Sequence, residues 1–148
     1  MKLSDHFTLA ELTRSDYAAR HGIDNTPGPL ALNNLKRLAE KLEKVRLILG
    51  RPVFVSSGYR SEALNKAVGG SKTSAHLVGN AADITSPEFG PPAKVLVELR
   101  EFQRRLLWDQ LILEFPKSQN GGWVHIGFSD SPRGQVLTYD GKSYEVLV

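Results

Sequence analysis

Three stretches of this 148-residue chain gather side chains able to hold a metal or move a proton. In Ser74-Ala75-His76-Leu77-Val78-Gly79-Asn80-Ala81-Ala82-Asp83 a histidine precedes a carboxylate by seven positions. Trp123-Val124-His125-Ile126 sets a second histidine inside a strand-like run, and Ser56-Ser57-Gly58-Tyr59-Arg60-Ser61 ends another such run on a fixed positive charge. Each histidine has an ordinary alternative, His76 as a solvated loop residue and His125 as a half-buried strand residue with one hydrogen bond. Asp83 is different, because a carboxylate between Ala82 and Ile84 is costly to bury unless a cation or a partner meets it. Two imidazoles and one carboxylate would leave a tetrahedral zinc one open position, the arrangement of a catalytic rather than a structural site.

These residues need a scaffold, and the pattern supplies one. Thr8 and Glu11 fit a capping box flanked by Phe7 and Leu12 at staple positions, which predicts a short helix in an N-terminal lobe over 1–28. Asp24-Asn25-Thr26-Pro27-Gly28-Pro29 reads as the linker that follows it. From Leu32 to Leu49, Leu35, Leu38, Ala39, Leu42, Val45 and Leu49 recur at helical spacing, and Gly50 ends the run. Pro52 to Ser57 and Ala81 to Thr85 read as strands, and Ser61 caps a short helix that Gly69-Gly70 stops. Pro91-Pro92 opens one long helix with Val95, Leu96, Leu99, Phe102 and Leu106 on a face. Gln110–Phe115 and Trp123–Phe128 predict a hairpin, and 135–148 a second one around Asp140-Gly141. The expected fold is α+β, a small, mostly antiparallel sheet with flanking helices, in a single domain over 1–148.

Composition removes other chemistries. No cysteine is present and only four histidines are, which excludes disulfides, thiolate-bound metals and thiol nucleophiles. The net charge of +3 comes from 19 basic and 16 acidic residues without a basic block, so nucleic acid is not an expected partner. No apolar run approaches the ~20 residues of a membrane span, and Met1 to His6 lacks the apolar stretch of a secretory signal.

Taken together, Ser-Gly-Tyr-Arg-Ser at 57–61, the pattern S-x-H-x-x-G-x-A-x-D at 74–83 and Trp-Val-His-Ile at 123–126 resemble peptidase family M15, the zinc D-Ala-D-Ala carboxypeptidase-like peptidases of peptidoglycan. His-Phe-Thr-Leu-Ala-Glu-Leu-Thr at 6–13, Gly-Ile-Asp-Asn-Thr-Pro at 22–27 and Asp109-Gln110-Leu111-Ile112 resemble compact bacteriophage members, and the resemblance extends to Gly127. It implies one zinc ion held by His76, Asp83 and His125, in a fold shared with the hedgehog signalling domain. It also implies that Arg60 sits beside the metal, binding a substrate carboxylate or the oxygen that becomes negative during hydrolysis. Ser74 and Tyr59 are further candidates for the substrate wall, while His6 and His21 are read as non-catalytic. The implied substrate is a peptidoglycan stem peptide cut by D-Ala-D-Ala carboxypeptidase action or by an endopeptidase; a non-catalytic zinc-containing wall-binding or virion module is the alternative. A monomer is expected, made in the host cytoplasm and reaching the wall by holin release or as a tail component.

One position departs from the family. Many relatives carry an acid three residues before the last histidine, where this chain has Gly122. Glu114 is the expected substitute as general base: alternation puts Gln110, Ile112 and Glu114 on one strand face. If Glu114 pairs opposite His125, or two residues off that register, the two share a face; a one-residue slip separates them. Asp109 is the second candidate.

Overall fold

The computed structural model describes residues 1–147; Val148, the last residue of the expected second hairpin, lies outside the described residues. The chain opens with α1 (Leu9–Thr13), whose N-cap Thr8 accepts from the Glu11 amide while the Glu11 carboxylate accepts from the Thr8 amide. Phe7 and Leu12 are both buried beside this capping box. After α2 (Asp16–Arg20), the long helix α3 (Pro29–Leu49) starts three residues before the first apolar repeat, because a proline suits the first helical position. It ends at Gly50, which adopts the left-handed conformation with φ 66°. Leu35, Leu38 and Leu42 on its inner face are fully buried, each stabilising the fold by roughly 1.5–3 kcal/mol relative to exposure.

Six strands follow, β1 (Phe54–Ser57), β2 (Ala81–Thr85), β3 (Gln110–Glu114), β4 (Trp123–Gly127), β5 (Gln135–Tyr139) and β6 (Tyr144–Val146), forming one sheet in the order β1-β2-β4-β3-β5-β6. Neighbours are antiparallel except β3 and β5, which run parallel. Helix α4 (Glu62–Ala67), capped by Ser61, lies between β1 and β2. The architecture is α+β, as expected.

The helix from Pro92 is not continuous. It runs as α5 (Pro92–Leu99), tightens into a 3₁₀ turn over Arg100–Phe102 and resumes as α6 (Gln103–Leu106), with no glycine or proline to mark the break. Leu107 then turns with φ 55°, and Trp108 is carried into the core with its indole N–H donating to the Gln135 carbonyl.

Alternation divides the sheet into two faces with different jobs. Ala82, Ile84, Leu111, Leu113, Val124 and Ile126 pack with α3 and α5 in one core, joined by Phe7 and Leu12 from the leading lobe. The opposite face carries Asp83, His125 and Glu114. Asp83 is paired across from His125 and Glu114 across from Trp123, so Glu114 sits two residues off the His125 register and shares its face.

Candidate metal centre

His76 reaches this face from a 3₁₀ turn (Ala75–Val78) that the chain holds from three sides. Ser74 Oγ accepts from the His76 amide and so caps the turn. Asn34, buried on the apolar side of α3, donates from Nδ2 to the Val78 carbonyl at 2.8 Å. Gly79 closes the turn with φ 77°, and a Cβ there would come within 2.7 Å of the Ala31 carbonyl oxygen, so helix α3 can press this close only on a glycine.

The loop after β1 supplies the next layer. His76 Nδ1 lies 2.6 Å from the Gly58 carbonyl oxygen, to which it donates, and this fixes the tautomer with the Nε2 lone pair free. Gly58 in turn lies against the leading lobe: a Cβ would stand 2.3 Å from the Leu12 carbonyl oxygen, which accepts from the Tyr59 amide. Asn25 bridges the same parts, donating to the carbonyls of Thr13 and Tyr59 and accepting from the Ser61 amide. The stretch expected to be a linker is therefore a strut under the Arg60 loop. Sequence signals for Asn25 and Asn34 were slight, an asparagine inside a loop motif and another on an apolar helix face.

Three candidate ligands converge. His76, Asp83 and His125 are 1%, 6% and 9% exposed, and one donor atom from each lies within 4.8 Å of the others. Asp83 Oδ1 stands 3.3 Å from His76 Nε2 and 3.1 Å from His125 Nδ1. Among the described residues nothing hydrogen-bonds the buried His76 Nε2, although its aim is fixed from the far side of the ring. An orphaned imidazole lone pair pointed at a carboxylate and a second imidazole is what a cation would satisfy. Electrostatics agree. Burial alone would raise the Asp83 pKa, but His76 and His125 hold it well below the ordinary carboxylate range. Burial alone would lower the His125 pKa, but Asp83 and Glu114 hold it above its ordinary value, so this pocket favours positive charge.

Glu114 lies beside the trio, Oε1 3.6 Å from His125 Nδ1. Burial first, and then repulsion by Asp83, push its pKa up, partly opposed by His125, Trp123 and Arg60. Asp109 is elsewhere in its bonding: both its oxygens are taken by Arg133, at 2.8 Å from Nε and 2.8 Å from Nη2. That guanidinium lowers the Asp109 pKa, which makes it a poor proton acceptor. At Gly122 the backbone has φ 77°, and a Cβ would fall 1.8 Å from the Glu114 carbonyl oxygen. No acid can occupy that position in this turn, and the carboxylate facing the trio comes from the neighbouring strand instead.

The other candidates are distributed as follows. Arg60 is tied to the ligand turn by its amide, which donates to the His76 carbonyl, and its charge is felt by both Glu114 and His125. Tyr59 packs partly buried against the core, its pKa raised by burial and by Asp24, on the side of the leading lobe. His6 binds Glu43 and His21 stacks on Tyr17, both away from the trio.

A helix-backed sheet with a His, Asp, His trio and an adjoining acid on its open face defines the class as a candidate metallohydrolase. The chain belongs to the family described as Peptidase M15, whose sequence model matches residues 5–126. It is also similar to the protein named zinc D-Ala-D-Ala carboxypeptidase of Streptomyces albus G, 35% identical over 82 residues, which are 53% of this chain and 31% of that relative. The chain thus matches less than a third of the length of that relative. Among the described residues no helix is long and apolar enough to cross a membrane.

Proposed function

We propose that this chain hydrolyses an amide bond of the peptidoglycan stem peptide, with D-Ala-D-Ala carboxypeptidase cleavage as the first reading. The observation that carries it is the unpartnered His76 Nε2 facing Asp83 and His125 with a half-buried Glu114 beside them. His76, Asp83 and His125 would hold one zinc ion, and zinc bound there supplies Lewis acidity toward a water and the scissile carbonyl. Glu114 accepts the proton of the attacking water as its oxygen bonds to the carbonyl carbon. It then gives that proton to the amine nitrogen as the carbon–nitrogen bond breaks, returning to a carboxylate. Its raised pKa brings the two protonation states closer in energy and eases both transfers. Arg60 receives a substrate carboxylate or steadies negative charge on the carbonyl oxygen. Ser74 keeps the His76 turn in shape, and Tyr59 supports the wall behind Arg60.

An endopeptidase is the second reading, and one observation favours it. A depression of about 380 Å³ is bordered by Thr85, Pro91, Asn120 and Gly122, whose turn abuts the Glu114 backbone carbonyl, and further substrate chain could lie there. The likeness of the leading segment to phage members supports a phage-type wall-opening protein as the setting.

Two measurements test the proposal. Metal analysis after zinc loading should give one equivalent per chain; less than about half, with no uptake on titration, removes the zinc reading. Purified muropeptides followed by mass spectrometry should show a new amine terminus and identify the bond. Zinc bound without any product leaves the wall-binding module.

A further inference from the structure

Asn65, the amide side chain of α4, is 4% exposed, and its two side-chain bonds run toward the site. Its Oδ1 accepts from Arg60 Nη1 at 3.3 Å, and its Nδ2 donates to the Ser71 carbonyl at 2.9 Å. Its backbone amide donates to the Ser61 carbonyl, and its own carbonyl accepts from the Gly70 amide. Asn65 therefore joins the Arg60 loop to the segment that leads into the His76 turn. Gly70 is pressed onto the same pair: a Cβ there would stand 2.0 Å from Asn65 Oδ1 and 2.9 Å from Arg60 Nη1. Gly70 is not among the glycines with positive φ, so what demands glycine here is space and not backbone conformation.

The chemistry of this partner matters as much as its position. Among the described residues the buried Arg60 Nε has no hydrogen-bond partner, and none of the ion pairs includes Arg60. A guanidinium held by a neutral amide has no counter-charge in that contact, whereas an aspartate of the same shape would pair with it. We propose that Asn65 is a positioning residue that holds Arg60 on the side of Glu114 and His125 without putting a carboxylate in contact with the guanidinium, so that Arg60 stays open to a substrate carboxylate. This rests on the hydrolase reading, but it concerns a binding subsite that is measurable without turnover.

The test uses the full chain and two readouts. In the first, the Arg60 Nε–H resonance is followed by NMR in zinc-free protein while N-acetyl-D-alanine is added as a carboxylate probe, with its amide, N-acetyl-D-alaninamide, as control. The wild type should shift with the acid and not with the amide, and Asn65→Asp should weaken the response to the acid by about tenfold or more, as expected for loss of a charge-assisted contact. In the second, Asn65→Asp should raise KM for carboxylate-bearing peptides by about tenfold, more than it lowers kcat, with zinc content kept. Gly70→Ala, which displaces the same pair without changing its charge, should raise KM and kcat losses together; it serves also if Asn65→Asp does not fold. Equal responses of wild type and Asn65→Asp to the acid, or equal shifts with acid and amide, overturn the proposal. A wild type that cleaves nothing but shows the acid-specific shift removes the hydrolase reading and leaves the subsite standing.

Discussion

The two ends of β3 present the same chemical group in opposite circumstances. Asp109, just before the strand, meets Arg133 at both carboxylate oxygens, and its proton affinity is lowered. Glu114, at the far end, has no cation in hydrogen-bond contact among the described residues, is sheltered from water, faces Asp83, and its proton affinity is raised. A carboxylate matched to a guanidinium is chemically quiet, whereas one left without a full partner next to an anion is ready to take a proton. The difference lies in the neighbours each end of the strand receives and not in the residue type.

The largest test of this contrast is Glu114→Gln, which should keep zinc and lose about 10²–10⁴-fold in hydrolysis rate, measured on muropeptides by product formation. The same change carries a thermodynamic sign. A carboxylate whose folded pKa is raised makes the folded state less favourable once pH exceeds that value, so zinc-free Glu114→Gln should melt at the same or a higher temperature than wild type at neutral pH. Next in size is Gly122→Glu in the Glu114→Gln background. Moving the acid to the position many relatives use should restore no activity and should lower the melting temperature by several degrees, because φ 77° and the Glu114 carbonyl exclude a Cβ. Asp109→Asn should be a small effect, within about 1 kcal/mol of stability by denaturant titration because Arg133 is largely exposed, with turnover retained.

Smallest is an acid-limb effect at another paired carboxylate. Glu43 accepts from Ser4 Oγ, the His6 amide and the His6 ring, and these bonds outweigh burial, which alone would raise its pKa, to leave it lowered. Its contribution is present above the ordinary glutamate value of 4.5 and is lost as pH falls through the lower folded value. Glu43→Gln should therefore flatten the fall in melting temperature below about pH 4.5, measured by thermal scans across acid pH.

The fold was legible where one physical rule acted alone. Helical spacing from Leu35 to Leu49 marked the inner face of α3, and the Thr8–Glu11 box marked the first helix, because each depends on neighbours a few residues away. The tightening at Arg100–Phe102 was not legible, having no residue that announces it. In the site, the spacing of His76, Asp83 and His125 pointed to a shared cation, and alternation put Glu114 on one of two faces. Only the pairing of Glu114 with Trp123 decided which, since register is settled between strands and not within one. Asn25, Asn34 and Asn65 escaped notice for a related reason. Their value lies in carbonyls and amides contributed by distant segments, which no local pattern encodes.

The carbonyl of Gly58 that orients His76 is also the point where the leading lobe bears on the site, through Leu12. For anyone building chimeras, a cut at Pro29 would look safe, since every proposed ligand and the acid lie beyond it. Such a graft would discard Leu12 and Asn25 and leave Gly58 to solvent, and His76 would lose the fixed tautomer that leaves its Nε2 free. The natural module for exchange therefore begins before the capping box at Thr8, and the lobe travels with the candidate metal site as part of what orients His76.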